Sequence, residues 1–158
     1  MTIACEIRDD ADPVDLEAVD LGLDEYNLRE AELRQVRPLN VLARGEAGVV
    51  IGGAVGRTWG GCCELLQLWV HERERGHGLG SRLMALFEQE TGRRGCELVY
   101  LTTFSFQAPD FYARLGYHVV LETRGFTGGI VKFTMHKTLG LSHDRADPGA
   151  PPRSAPTR

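Results

Sequence analysis

The spacing of apolar residues changes several times along the chain, and the first third predicts a strand followed by helices. Weak alternation over Ile3–Arg8 predicts a first strand. Asp12-Pro13 is typical of a helix start, with Asp as N-cap and Pro at the first helical position. Helical spacing follows, and Gly22 weakens or ends that helix. A second helix is predicted over Leu28–Val36, before Arg37-Pro38. The apolar positions of the first helix are Leu16, Val19, Leu23 and Tyr26.

The next stretch reads as three strands joined by glycine turns. Two glycine-bearing segments, Gly45–Gly48 and Gly60-Gly61, separate short apolar runs, which is typical of hairpins. Residues 39–70 therefore predict an antiparallel meander. Its strands are Leu39–Arg44, Val49–Trp59 and Cys62–Val70.

Beyond residue 75 the spacing of apolar residues predicts helices and strands in alternation. A Gly-rich turn opens a helix whose apolar stripe is Leu79, Leu83, Leu86 and Phe87 and which ends near Gly92. A buried strand, Leu98–Thr103, a short helix ended by Gly116, and two closing strands follow. Strand–helix–strand over residues 62–103 implies a parallel crossover. The predicted fold is mixed α+β, with a mostly antiparallel twisted sheet flanked by helices. The closing strands are Tyr117–Glu122 and Ile130–Lys137.

The length of 158 residues predicts one folded unit, residues 1–138. After Gly140 the apolar pattern stops, and the rest holds four of the seven prolines. We therefore predict that residues 139–158 form a disordered tail.

The amino-acid composition argues against several classes of function. Hydrophobic residues make up 42% and the net charge is -4, so we expect neither a generic nucleic-acid binder nor a membrane protein. The N-terminus lacks the apolar core of a signal peptide, which predicts a cytoplasmic location. The four cysteines fit no zinc spacing, so we predict no metal and reduced thiols. They are Cys5, Cys62, Cys63 and Cys96.

The candidate chemistry begins at the glycine loop Arg75-Gly76-His77-Gly78-Leu79-Gly80-Ser81. The loop follows an apolar strand and opens a helix, where unpaired N–H groups and the helix dipole favour an anion. This context predicts a pyrophosphate site, with Ser81 as a further donor and Arg75 or Arg82 as counter-charge. A plain tight turn is the alternative. The loop lacks the Gly-Lys-Ser/Thr ending of an NTPase, and the preceding meander disfavours a Rossmann domain.

Two motifs in this order resemble the GNAT superfamily of N-acetyltransferases. The family signature Gln/Arg-x-x-Gly-x-Gly/Ala is met by Arg75–Gly80 after the strand Leu65–Val70. The second motif, Ala-x-x-x-Tyr followed by Leu/Phe-Gly-Phe/Tyr, is met by Ala108–Tyr112 and Leu115–Tyr117. The resemblance spans residues 3–138 and implies acetyl-CoA as acyl donor.

The resemblance also implies site residues. The strand before the loop would splay from its neighbour and hydrogen-bond the pantetheine, with a backbone N–H near Val70 polarising the thioester carbonyl. Tyr112 would protonate the leaving thiolate. Many relatives carry Asn where this chain has Ser105, which weakens the expected contact there. The implied cofactor-binding residues are Leu68, Trp69, Val70, Arg75, Gly76, His77, Gly78, Leu79, Gly80, Ser81, Ser105 and Phe111.

An amine acceptor must lose a proton before it attacks, so the site needs a general base. Glu64 is the first candidate, because it lies six residues before Val70 and so on the same face of a regular strand. Glu25, Tyr26 and His71 are weaker candidates. In the family the first helices cover the acceptor, and residues 1–32 hold eleven acidic residues. A cationic amine bound near Glu25, Tyr26 and Asn27 is therefore expected.

The same residues allow other hypotheses about the function. The main alternative is a non-catalytic acyl-CoA-binding module that regulates a partner. An acetylating toxin for charged tRNA suits the acidic chain poorly, and no His or Asp is placed to activate a cysteine for covalent catalysis. Family members are often homodimers, although the sequence shows no interface.

Overall fold

The computed structural model describes residues 3–29 and 36–140. Three helices and six strands make up the main elements of this part. The helices are α1 Pro13–Asn27, α2 Leu79–Arg93 and α3 Pro109–Arg114. The strands are β1 Arg37–Arg44, β2 Val50–Trp59, β3 Cys62–Val70, β4 Leu98–Phe104, β5 His118–Thr123 and β6 Lys132–Thr138.

The six strands form one sheet in the order β1-β2-β3-β4-β6-β5. β3 and β4 run parallel, joined by α2, and the other neighbours pair antiparallel. This confirms the mixed fold, the meander over residues 39–70 and the parallel crossover.

The N-terminal predictions are only partly confirmed. Asp12 caps α1, with its side chain accepting from the Val14 N–H at 2.9 Å, and the helix continues through Gly22 to Asn27. However, α1 buries none of its residues, so the predicted apolar stripe contributes nothing to the described core. The prediction of a strand over Ile3–Arg8 is wrong, because these residues pair with no strand of the described chain. Alternating side chains form a strand only where a neighbouring strand supplies hydrogen-bond partners. Most of the second predicted helix and of the predicted tail lies outside the described residues.

The core lies between α2 and one face of the sheet. Leu83, Met84 and Phe87 of α2 are buried there against strand residues such as Val99 and Leu101. β2 contributes glycines at the contact, because a Cβ on Gly56 would lie 2.7 Å from Cζ of Phe87. The helix can therefore approach the sheet closely.

A β-bulge interrupts the regular alternation of β3. Val55 of β2 is opposite Gln67, but the next residue, Gly56, is opposite Leu65, which leaves Leu66 as an extra residue. Side chains on β3 consequently change phase at Leu66. Cys63 and Leu65 before the bulge face α2, and so do Leu68 and Val70 after it. This phase change determines which side chains meet at the site described next.

Candidate active site

The sheet opens between β3 and β4. Their parallel ladder runs from Cys62 opposite Leu98 to Leu65 opposite Leu101 and then stops. β3 continues to pair with β2 as far as Val70, and β4 with β6 as far as Phe104. The two parallel strands thus diverge at their carboxyl ends, as expected from the resemblance.

A cleft of about 750 Å³ occupies this opening. Residues of both diverging strands and of the loop before α3 line it, and Tyr112 lies at one wall. Backbone polar groups freed by the end of the ladder are available here to hydrogen-bond an extended ligand. The strand residues after the bulge that line the cleft are Gln67, Leu68, Trp69 and Val70.

The glycine loop forms the start of α2. Gly76 has φ 78° and Gly78, the N-cap, has φ 82°, both in the left-handed region that favours glycine. No side chain caps the helix, so its first N–H groups are not covered from within the chain. Among the described residues, and leaving aside the flanking ones, no atom lies within 4 Å of where a Cβ on either glycine would be. The loop is thus a positively polarised, open cradle of the kind that holds phosphate.

A second cleft, of about 470 Å³, lies against this cradle. It shares Leu68, Val70, Arg75 and Ala108 with the first cleft, so the two adjoin. Its other lining residues are Glu74, Gly76, Gly78, Leu79, Gly80, Ser81, Phe111 and Arg114. Most of the expected cofactor-binding residues are therefore brought together in one continuous depression.

Two arginines border the depression. Arg75 Nε donates to the Val70 carbonyl at 3.0 Å, which ties the loop to the end of β3. Arg114, in the last turn of α3, also lines the second cleft. Sequence reasoning missed Arg114, whose only signal was a cation near the end of the short helix that carries Tyr112.

Tyr112 is buried, with 8% of its surface exposed. Its ring lies edge-on to Phe111 at 5.2 Å and to Tyr117 at 5.8 Å between centroids. Burial raises the pKa of Tyr112 to about 12. The phenol therefore keeps its proton at neutral pH.

Two expected cofactor contacts line neither cleft, namely Ser105 and His77. The Ser105 hydroxyl accepts the Val131 N–H at 3.2 Å, and the Ser105 N–H donates to the Val131 carbonyl at 2.8 Å. Ser105 thus connects the end of β4 to the start of β6. Gln107, which sequence reasoning missed, lines the first cleft and accepts from the Phe104 N–H at 2.9 Å.

Glu64 lies on the face of the sheet away from α2, opposite to Val70. The inference that six residues place the two side chains on one face is wrong, because the extra residue Leu66 shifts the phase. Arg57 of β2 donates to Glu64 Oε2 from Nε at 2.9 Å and from Nη2 at 2.8 Å. Tyr100 is opposite Glu64 on β4. Burial raises the pKa of Tyr100 to about 12, and the Glu64 carboxylate acts in the same direction.

The remaining candidates are not gathered at the clefts. Glu25, Tyr26 and Asn27 end α1 and line neither of them. Arg29 lies over the Tyr26 ring at 5.6 Å. His71 follows β3, where its Nδ1 accepts from the Arg73 N–H at 3.3 Å. Glu64 lines neither cleft either, but of these groups it alone lies on β3, one residue before the β3–β4 ladder ends.

Comparison with known proteins identifies the family. The sequence profile of the Acetyltransferase (GNAT) family matches residues 5–117. The chain belongs to the GNAT acetyltransferase family. A blasticidin-S acetyltransferase from Streptomyces morookaense is 37% identical over 116 residues, covering 71% of this chain and 85% of the relative. An acetyltransferase from Agrobacterium fabrum is 34% identical over 111 residues, covering 70% of this chain and 81% of the relative.

The fold agrees with this membership. A crystal structure of a protein from Agrobacterium tumefaciens matches this GNAT chain with a TM-score of 0.80 and 29% identity, covering 87% of this chain and 100% of the other. The protein is accordingly an acetyltransferase, and a purely regulatory acyl-CoA-binding module is not favoured. Within residues 3–29 and 36–140, no helix has the length and apolar character needed to cross a membrane, and no His, Cys, Asp and Glu side chains are grouped to hold a metal ion.

Proposed function

We propose that this GNAT protein transfers an acetyl group from acetyl-CoA to a primary amine of a small molecule or peptide by direct attack. One observation supports acetyl-CoA as the acyl donor. The N-terminus of α2 has no side-chain cap and carries two glycines with left-handed backbone, and it lies beside the sheet opening. An anion and an extended chain fit that depression together. The small-molecule acceptor of the blasticidin-S acetyltransferase supports the acceptor half.

Acetyl-CoA supplies the thioester whose C–S bond breaks. The loop over Arg75–Ser81 holds the pyrophosphate through backbone N–H groups, while Arg75 and Arg114 supply positive charge. The backbone of Leu68–Val70 binds the pantetheine, and an N–H near Val70 polarises the carbonyl.

In this mechanism the two proton transfers use residues on opposite faces of the sheet. Glu64 takes a proton from the amine, directly or through a water, on the face away from α2. The neutral amine nitrogen then forms a bond to the carbonyl carbon while the C–S bond breaks, and it releases its second proton to solvent as the amide forms. Tyr112, one wall of the cleft, gives its proton to the thiolate sulfur.

The pKa of Tyr112, at about 12, lies above that of an ordinary thiol near 8.5. The same site desolvates the thiolate, however, which raises its pKa as well. This protein provides an internal example, because burial raises the pKa of the Cys63 thiol to about 11. A buried thiolate and a buried phenol are therefore much closer in proton affinity than their values in water suggest.

Calorimetric titration of acetyl-CoA, CoA and NADH into the purified protein tests the donor. We expect micromolar acetyl-CoA binding and no NADH binding, followed by thiol release with members of an amine panel. Absence of acetyl-CoA binding would contradict the proposal. The homodimer, the cytoplasmic location and the domain limit at residue 138 stay predictions.

A further inference from the structure

Two exposed aromatic side chains line the first cleft, Trp69 and Phe106, and Phe104 and Phe126 pack behind Phe106; we call these four residues the rim cluster. Trp69 and Phe106 both line the cleft, one from β3 and one from the loop before α3. They are 48% and 66% exposed. Large aromatic rings so exposed beside a ligand cleft are typical of binding surfaces.

The rim cluster is built around Phe104. The Phe106 ring stacks on Phe104 with centroids 5.4 Å apart and planes 13° apart, and Phe126 meets Phe104 edge-on at 5.4 Å. These contacts hold Phe106 at the cleft wall in spite of its exposure. The rim is therefore a partly ordered apolar platform.

The rim cluster lies on the same face of the sheet as Glu64. After the bulge at Leu66, Leu68 and Val70 face α2, so the Trp69 side chain between them faces the other way. Phe104 is in phase with Tyr100, which is opposite Glu64. A ligand on the rim thus approaches the sheet opening from the side of the carboxylate.

The charges near the rim indicate what kind of group binds there. Lys132 Nζ lies over the Phe104 ring at 5.7 Å, so the platform already interacts with a cation that would repel a second one. Glu64, on the same face of the sheet but outside the lining of the cleft, is the carboxylate that we assign to the amine. A neutral flat ring fits the rim better than an ammonium group.

We propose that Trp69 and Phe106 bind a planar, π-bearing ring of the acceptor, so that the preferred substrates are amines attached to a flat ring. This inference rests on the proposed function and names its substrate class. Stacking of the ring on Phe106 or Trp69 holds the molecule while its amine reaches Glu64 and the thioester.

Measuring how tightly amines bind, rather than how fast they react, tests whether the rim prefers a flat ring. The chain has two tryptophans, so Trp59→Phe leaves Trp69 as the fluorescent reporter of the cleft. Benzylamine and cyclohexylmethylamine, which have similar size but differ in flatness, are titrated into this background with CoA present. Aromatic pairs contribute about 0.5–1.5 kcal/mol beyond area burial, so we expect benzylamine to bind roughly two- to tenfold more tightly.

Two phenylalanine variants provide the matched comparison. Phe106→Leu should bring the ratio of the two affinities close to one, whereas Phe126→Leu, which changes a rim residue that does not line the cleft, should preserve it. Equal affinities in the parent protein, no binding of either amine, or a ratio that persists in Phe106→Leu would each overturn the inference.

The outcome is separable from that of the proposed function. If acetyl-CoA does not bind, the donor assignment fails, while the preference for a flat amine is still measured. If Phe106→Leu weakens CoA binding but leaves the amine ratio unchanged, the ring held at the rim belongs to the adenine of CoA and the inference is wrong.

Discussion

Glu64 and Val70 lie on opposite faces of the central sheet, although Val70 follows Glu64 by six positions on one strand. The bulge at Leu66 causes this, by adding one residue to β3 opposite the Val55–Gly56 step of β2. We propose that the backbone near Val70 therefore serves a donor bound beside α2, while the Glu64 side chain serves an acceptor that comes from the other side. In the proposed mechanism, the two reactants meet through the opening of the sheet.

Glu64→Gln should lower kcat/KM for an amine acceptor by about 100-fold or more, since general base catalysis contributes roughly 10²–10⁴. The glutamine keeps an oxygen for Arg57, so calorimetry should show unchanged CoA affinity. The loss should shrink at high pH, where the free amine is already deprotonated. Glu122→Gln, at an exposed carboxylate paired with Arg124 on the edge strand, is the control. A pH-independent loss would assign Glu64 to structure instead.

Tyr112→Phe should reduce kcat while leaving the affinity for acetyl-CoA within about twofold, because the phenyl ring keeps its contacts with Phe111 and Tyr117. The hydroxyl is lost, and with it the proton for the thiolate. Stopped-flow thiol release is the measurement. Because the pKa of Tyr112 is raised to about 12, the wild-type rate should show no loss from Tyr112 ionisation up to about pH 11. Unchanged kcat in the variant would remove Tyr112 from the chemistry.

The sequence predicted the sheet and the position of the glycine loop before α2, because both rest on local signals. Glycine turns and apolar runs mark β1 to β3, and the glycines before Leu79 coincide with the left-handed backbone at Gly76 and Gly78. The bulge was missed, because the pair Leu65-Leu66 with the polar Gln67 after it also suits a regular strand that is buried on both faces. The rim cluster was missed because its rings come from three separate segments.

The N-terminal errors have a different cause. Helical spacing in α1 correctly predicted a helix, but periodicity shows only which side chains share a face and not whether anything packs on that face. In the described residues that face is exposed at Leu16, Val19 and Leu23. Ile3–Arg8 alternates over only a few residues, and no partner strand in the described residues pairs with it, so it does not form a strand.

Two glycines of α2 form a matched test of the phosphate cradle. Gly78→Ala places a Cβ at φ 82°, which costs about 1–2 kcal/mol, so we expect roughly tenfold weaker CoA binding or a comparable loss of stability. Gly92→Ala, near the exposed end of the same helix, should instead stabilise the protein by about 1 kcal/mol and leave CoA affinity unchanged. Calorimetry and urea unfolding give both quantities. Equal effects of the two variants would show that the loop conformation does not matter for binding.

Gly56→Ala should destabilise the protein by about 1–3 kcal/mol or more, because the new Cβ has no room between the Glu64 carbonyl and the Phe87 ring. The bulge or α2 must move to accept it. Gly61→Ala, at a turn where nothing lies within 4 Å of the added carbon, is the control and should change the free energy of unfolding little. A fully stable Gly56→Ala protein would mean that the helix can shift without cost.

Alkaline pH should destabilise the fold through buried acids that resist ionisation. Burial raises the pKa of Cys63 from 9.0 to about 11 and that of Tyr112 from 10.0 to about 12. The unfolded chain releases these protons first, so the contribution of each group is complete below its unfolded pKa and is lost as pH rises through its folded pKa. The free energy of unfolding in urea should therefore fall between pH 9 and 12. For Tyr112 the slope approaches about 1.4 kcal/mol per pH unit between 10 and 12. Tyr112→Phe should remove that part of the slope and leave the part due to the other acids whose pKa is raised by burial, Cys63, Cys96, Tyr100 and Tyr117. An unchanged slope would show that the Tyr112 phenol ionises equally in both states.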